Sequence, residues 1–378
     1  MNFNDLSKFT FVDMDKKAFL DEILYIREEE ALKTYELHAL KLEVSSADKC
    51  DIAVPTKFCP QCHRKYPEEE NFCLKCGVVL KDIRNVNVND VEIKPEFIVE
   101  GANDYTNFND ILTDENLEKI TNNSFDIDNI SKNIRLTAIR RLDSTIKDND
   151  ILLDDLSILE KVILFTKSFV EVEYKSYGQE LGYYEFNKIH VDDRQLDALQ
   201  ITTLLHELTH FLNKEILSHI LCQLLDCTKT KEVESIITFV LSYSPLNQLI
   251  DEYAAHTVEG RFTLYGFQDY SSYLNIQKSI DMSGEEIEML KTIGNTLANI
   301  IKDMLESFID EDLFEDIKSQ FRDDIMDSPD YKNLALENCT LLNDEGLTRA
   351  IKFILHDGFA IAMDNIQTLE QYNINWND

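Results

Sequence analysis

The stretch LLHELTHFLNKE occupies residues 204–215 and sets two of the chain's 8 histidines four residues apart, with a glutamate directly after the first. On a helix, residues four apart project about 40° from one another, so both imidazoles reach one point in space. Leu204, Leu205, Leu208, Phe211 and Leu212 fall on the opposite side. The back of this helix is therefore expected to be buried, with the histidine face lining a polar cleft. Upstream, HVDDRQL offers Asp192 as an N-cap with Gln195 three residues on, a capping-box arrangement. Before that lie two stretches with strand signals, SFVEVEY and YYEFNKIHV, separated by the glycine-containing turn KSYGQELG. His206, Glu207 and His210 thus form HExxH on a helix that follows a strand. Two imidazoles in that relation suit one divalent metal ion, with a carboxylate beside it. The plainer alternative is two histidines that are solvated or satisfied within a core.

A catalytic zinc needs a third protein ligand. The stretch SPLNQLIDEYAAHTVEG, residues 244–260, offers one. Ser244 can cap, Pro245 suits the first helical position and Gly260 suits the stop. Leu246, Leu249, Ile250, Tyr253 and Ala254 define an apolar stripe, with Glu252 and His256 at its cleft-side edge and Asp251 expected to point away. A carboxylate at the rim of a buried face needs a partner. Zinc is one such partner, and a surface salt bridge is the other.

Strand, short turn, HExxH helix and a later helix bearing glutamate together resemble the zincin metallopeptidases, and within them the gluzincins. The metzincin branch would carry Gly at 213 and His at 216, where this chain has Asn213 and Ile216. The resemblance implies an α+β fold: a mostly helical zincin-like catalytic domain with a small β-sheet, whose strand at the cleft takes an extended substrate as an added strand. It implies one catalytic Zn²⁺ held by His206, His210 and Glu252, with Glu207 as general base. Tyr253 or His256 would supply a further donor to the oxyanion. Thermolysin-like members carry Asp four residues after the ligand glutamate. Here that place holds His256, which stays open as an oxyanion donor or a ligand.

A second metal signal lies in FCPQCHRKYPEEENFCLKCGVVL, residues 58–80. Cys59, Cys62, Cys73 and Cys76 form two CxxC knuckles, the spacing of a small zinc ribbon around one structural Zn²⁺. Four thiolates close the coordination sphere, so the expected role is a staple or a docking module for a protein partner. From Lys57 to Arg84 six basic residues face four acidic ones, the least acidic region of the chain. The remaining cysteines, Cys50, Cys222, Cys227 and Cys339, lack metal spacing.

The whole chain carries 71 acidic against 37 basic residues, a net charge of −34, which repels nucleic acid and anionic lipid over most of the surface. No secretory leader or membrane-length apolar run is visible, and clustered cysteines suit a reducing compartment, so a cytoplasmic protein is expected. Residues 1–50 are expected to be an N-terminal helical segment, with one long helix over 16–43 that packs on its own chain or binds a partner. Residues 51–84 form the ribbon, and 85–125 an acidic polar connector poor at burying surface. Residues 126–378 form the catalytic domain. Its longest helix is SGEEIEMLKTIGNTLANIIKDMLESF, with Ile287, Leu290, Ile293, Leu297, Ile301, Met304 and Phe308 on one stripe. The expected activity is hydrolysis of a protein or peptide. Two alternatives stay open: a regulatory or scaffold protein whose HExxH domain binds metal without peptidase activity, and a metal-dependent hydrolase acting on something other than peptides.

Overall fold

The computed structural model describes residues 33–41, 57–59, 61, 65–66, 70–82, 88–93, 97–175, 181–185, 187–263, 272–280, 282–326 and 332–375. In chain order the first elements are β1 (Lys33–Lys41), β2 (Lys57–Phe58), β3 (Lys65–Tyr66), β4 (Lys81–Asp82), α1 (Phe108–Ile111), α2 (Asp114–Asn122), α3 (Ile127–Asp148) and α4 (Ile158–Phe169). There follow β5 (Glu171–Lys175), β6 (Gly182–Glu185), β7 (Lys188–Asp192), α5 (Asp197–Leu225), α6 (Lys231–Tyr243) and α7 (Pro245–Phe262). The last are α8 (Ser272–Ser279), α9 (Gly284–Leu305), α10 (Glu311–Phe321), β8 (Lys332–Leu341), α11 (Asp344–Asp364) and α12 (Ile366–Asn375). The architecture is α+β and mostly helical. No described helix is long and apolar enough to cross a membrane.

The HExxH helix, α5, is the centre of the core. It packs on α2, α3, α4, α6, α7, β6 and β7. Its burial runs nearly all round, as it must in a helix enclosed by neighbours. Beyond Asp197, only His206, Glu207, His210 and, near the far end, Gln223 keep some exposure. An almost wholly buried helix therefore opens to the outside at HExxH. Asp226 ends it in the left-handed region at φ 50, with its N–H turned back to the carbonyls of Cys222 and Gln223.

The start of α5 differs from the expectation. Asp192 closes β7 instead, and its carboxylate accepts from the Arg194 backbone N–H at 2.9 Å and from the Arg194 guanidinium at 2.6 Å. Leu196 takes the N-cap position without a side-chain bond. The free Ala198 N–H is met by Asp324 Oδ2 at 3.2 Å, from the turn after α10. A carboxylate distant in sequence thus caps this helix, a service local spacing does not reveal.

The three-stranded sheet runs in the order β5-β7-β6, with β5 and β7 parallel and β6 and β7 antiparallel. The stretch YYEFNKIHV is therefore two strands folded on themselves. The fold occurs at Asn187, which sits at φ 60, a conformation asparagine tolerates better than other non-glycine residues. As a result β6 is, among the described residues, an edge strand, and it lies against α5. Gly182 makes this close approach feasible: a Cβ there would meet the His190 carbonyl oxygen at 2.3 Å and Thr203 Cγ2 at 2.5 Å.

Other helices follow their sequence signals. α4 and α9 begin with capping boxes, Ser157 with Glu160 and Ser283 with Glu286. In α9, Leu290, Ile293, Leu297, Ile301 and Met304 are buried along the expected stripe. α7 starts at Pro245 under the Ser244 cap but runs through Gly260 to a C-cap at Thr263.

Two segments depart from the reading by composition. Residues 33–41, expected within a long helix, form β1 paired antiparallel with β8; residues 16–32 and 42–43 of that expectation lie outside the described residues. Strand pairing with a partner about 300 residues away overrides a broken helical spacing. The polar stretch 85–125 contributes Val88, Val91, Phe97, Phe108, Ile111, Leu112 and Ile120 to the main core. Sparse apolar residues suffice there because short helices and caps, such as Asn107 and Thr113, point them inward.

Candidate metal centre

α5 and α7 cross in contact, and their polar residues meet at the HExxH opening. His206 Nδ1 faces Glu259 Oε2 at 2.8 Å, and His210 Nδ1 faces Asp251 Oδ2 at 2.7 Å. A carboxylate at Nδ1 favours the N–H there, and in that neutral tautomer each Nε2 carries the lone pair. Those two Nε2 atoms lie 3.2 Å apart. Glu252 approaches the same point, with Oε2 3.5 Å from His206 Nε2 and Oε1 3.8 Å from His210 Nε2. Two lone pairs and a carboxylate aimed at one another repel unless a cation sits among them. The donor set, two imidazoles and one carboxylate, could thus hold a metal ion.

A second combination, His206, Glu252 and His256, also has ligand atoms within 4.8 Å of one another. His210 joins the same point, its Nε2 3.2 Å from His206 Nε2 and 3.8 Å from Glu252 Oε1, and Asp251 faces its ring as Glu259 faces that of His206. His256 Nδ1 lies 3.2 Å from Glu259 Oε2, and its Nε2 lies 3.1 Å from Ser272 Oγ. The Ser272 hydroxyl in turn donates to Glu252 Oε2. His256 stands beside the centre, its ring centroid 4.5 Å from that of His206.

The charges agree with this geometry. Burial pushes His206 down, but hydrogen bonds to Glu252 and Glu259 outweigh it and hold the imidazole well above its usual range. Burial lowers His210 likewise, yet Asp251 and Glu252 raise it to about 9. Burial pulls Glu252 and Glu259 up, but the surrounding histidines win. Glu252 falls well below the ordinary carboxylate range and Glu259 to about 2. The pocket favours net positive charge at the imidazoles, whether protons or a metal supply it. Glu207 is shifted the other way, raised chiefly by burial, although the charges of His206 and His210 oppose this.

Sequence reasoning missed three of these residues. Asp251 does not point away: it carries His210 and also accepts from Asn213 Nδ2 at 2.6 Å. Glu259, only 2% exposed, shares one oxygen between His206 and His256. Ser272 comes from a separate helix. A signal for Glu259 existed, because Glu252, His256 and Glu259 stand at i, i+4 and i+7 on one helical stripe. Tyr253, expected as an oxyanion donor, is buried in the core, edge-on to Tyr273 with the Lys291 ammonium 5.6 Å from its ring centroid. His190 lies against β5 and β6, stacked on Tyr183 and 3.0 Å from Glu173.

The cysteine cluster forms a second group able to hold a metal. Cys59, Cys73 and Cys76 place their sulfurs within 4.8 Å of one another; Cys62 lies outside the described residues. They sit beside a three-stranded sheet of order β3-β2-β4. Gly77 takes φ 69 and its N–H turns back to the Cys73 carbonyl at 2.8 Å. Backbone N–H groups of Cys76 and Gln61 point at the sulfurs of Cys73 and Cys59, at 3.3 and 3.4 Å. Amides aimed at sulfur stabilise thiolates, the ligating form.

Comparison with family models, with curated proteins and with solved structures finds no match to this chain.

Proposed function

We propose that the chain is a zinc-dependent metallopeptidase of gluzincin type that cleaves a protein or peptide. The observation that carries this reading is the convergence of His206 Nε2, His210 Nε2 and Glu252, with Asp251 and Glu259 orienting the two rings. His206, His210 and Glu252 would hold the zinc, which when bound supplies Lewis acidity toward the scissile carbonyl and the attacking water.

The remaining steps belong to side chains. Glu207 follows His206 in sequence and keeps partial exposure at the opening. As general base it takes a proton from water and later delivers it to the leaving amine. Burial raises its pKa toward the working range of such a base. Asp251 and Glu259 hold the ligating rings in one tautomer. His256, beside the centre and linked to Ser272, is the candidate to donate to the developing oxyanion. The edge strand β6 offers backbone groups with which an extended peptide can pair.

In the same reading Cys59, Cys62, Cys73 and Cys76 hold a structural zinc, and the ribbon is a docking module for a protein partner. Exposed Phe72, Leu74 and Val79 on its surface support that role. A cytoplasmic location suits the cysteine usage. The test is zinc-loaded protein against a peptide library. Glu207→Gln is expected to keep its zinc and lose turnover by about 10²–10⁴-fold. Unchanged turnover in that variant would remove Glu207 as the base. No hydrolysis by the parent protein, with zinc bound, would favour the scaffold reading.

A further inference from the structure

Beneath the β6–β7 turn lies a group of buried charges that the catalytic reading does not use. Lys214 follows His206 and His210 at the same four-residue interval, so it stands on the same face of α5 one turn further on. Its side chain is 3% exposed. Glu215, Lys229 and Glu234 complete the group: Lys229 Nζ lies 2.6 Å from Glu215 and 3.1 Å from Glu234, and Lys214 Nζ lies 3.7 Å from Glu234. Two cations and two anions are thus enclosed together. Such clusters gain little stability over apolar packing, so their value is more often geometric.

Asn187 connects this group to the turn. Its Oδ1 accepts from the Lys214 ammonium and from the Tyr184 hydroxyl, the latter at 2.9 Å, and its Nδ2 donates to Glu234 Oε1 at 3.3 Å. Tyr184 is tied to the same residue, its hydroxyl donating to Asn187 Oδ1. The strand therefore packs on α5 while its turn is tied to the buried charges.

The geometry points to Asn187 and Lys214 as positioning residues that lock β6 in register against α5, so that an extended peptide meets a preformed edge. This rests on the peptidase reading, in which β6 receives the substrate backbone. A preformed edge lowers the ordering cost of binding, so its loss raises KM for long substrates more than it lowers kcat.

The test uses the full zinc-loaded chain with Asn187→Gly and Lys214→Met. Glycine adopts the left-handed conformation at 187 without strain, so that variant removes the side-chain link and keeps the turn. Amide hydrogen exchange is expected to speed up at residues 182–185 and stay unchanged along α5, with zinc content unaltered. KM for an extended peptide is expected to rise roughly tenfold with kcat within about twofold, and kcat/KM for a blocked dipeptide to stay unchanged. The double variant should be no worse than Asn187→Gly alone, since Lys214 reaches the strand through Asn187. Parental exchange at 182–185 in both variants, or an equal loss on long and short substrates, would overturn the assignment. If the parent protein cleaves no peptide, the peptidase reading fails by itself, and the exchange measurement still decides whether Asn187 and Lys214 lock the strand.

Discussion

The two carboxylates behind the imidazoles should contribute unequally to metal affinity. Glu259 is 2% exposed, and one of its oxygens lies 2.8 Å from His206 Nδ1 and 3.2 Å from His256 Nδ1. Asp251 is 16% exposed and serves one imidazole, with Asn213 on its other oxygen. Replacing either by its amide keeps an acceptor oxygen at the same reach and removes the charge. Outer partners of ligating histidines are worth about 10- to 100-fold in affinity, or about 1.4–2.8 kcal/mol. Burial decides where in that range each falls, because water and salt screen an enclosed charge less. Glu259→Gln is therefore expected near ~100-fold weaker zinc binding and Asp251→Asn near ~10-fold. Titration of zinc against a chromophoric chelator measures both. Glu252→Gln, at the proposed third ligand, should exceed either. Parental affinity in both amide variants, or in Asp251→Asn alone, would refute the assignment of His206, His210 and Glu252 as the metal-holding set, since Asp251 acts through His210; a larger loss for Asp251→Asn than for Glu259→Gln would refute the ranking by burial.

The two metal groups should load independently: Cys73→Ser is expected to cost one zinc equivalent and leave a second, and loss of all zinc in that variant would contradict the centre on α5. Gly182→Ala forces a Cβ to within 2.3 Å of the His190 carbonyl, so β6 must shift. A stability loss of about 1–3 kcal/mol by denaturant unfolding is expected, and a neutral outcome would mean the edge strand is not held as described. Acid should weaken the fold through Glu215. Burial pushes its carboxyl up, but Lys229, His219 and Lys214 outweigh this and hold it below its ordinary 4.5. Its folded-state pKa is depressed, so its stabilisation is complete above about pH 4.5 and lost as pH falls through the folded value. The thermal midpoint should drop across that range, and Glu215→Gln should flatten the drop.

Local chemistry was legible where it is written in consecutive residues. The HExxH spacing placed two imidazoles and a carboxylate on one helix face, and Ser244 with Pro245 marked the start of α7. The cysteine spacing brought three sulfurs together. The error over Asp251 came from treating α7 as facing the core with one stripe, whereas α5 crosses it so that residues on either side of Glu252 meet different imidazoles. Asp192 carried the right letters for a cap, but Arg194 claims its carboxylate two residues on. YYEFNKIHV reads as one strand because Asn187 gives no break in hydrophobic alternation, and its positive φ is invisible in one-letter code.

By itself, the sequence determined which side chains could ligate, and it determined the helix that presents them, because a period of 3.6 residues turns spacing into direction. Only the tertiary structure decided which carboxylate orients which ring, which strand became the exposed edge, and that four charges would be enclosed under its turn. Those features depend on how separate helices cross and on which surfaces burial leaves open. Crossing and burial are set by packing of the whole core, which no window of neighbouring residues contains.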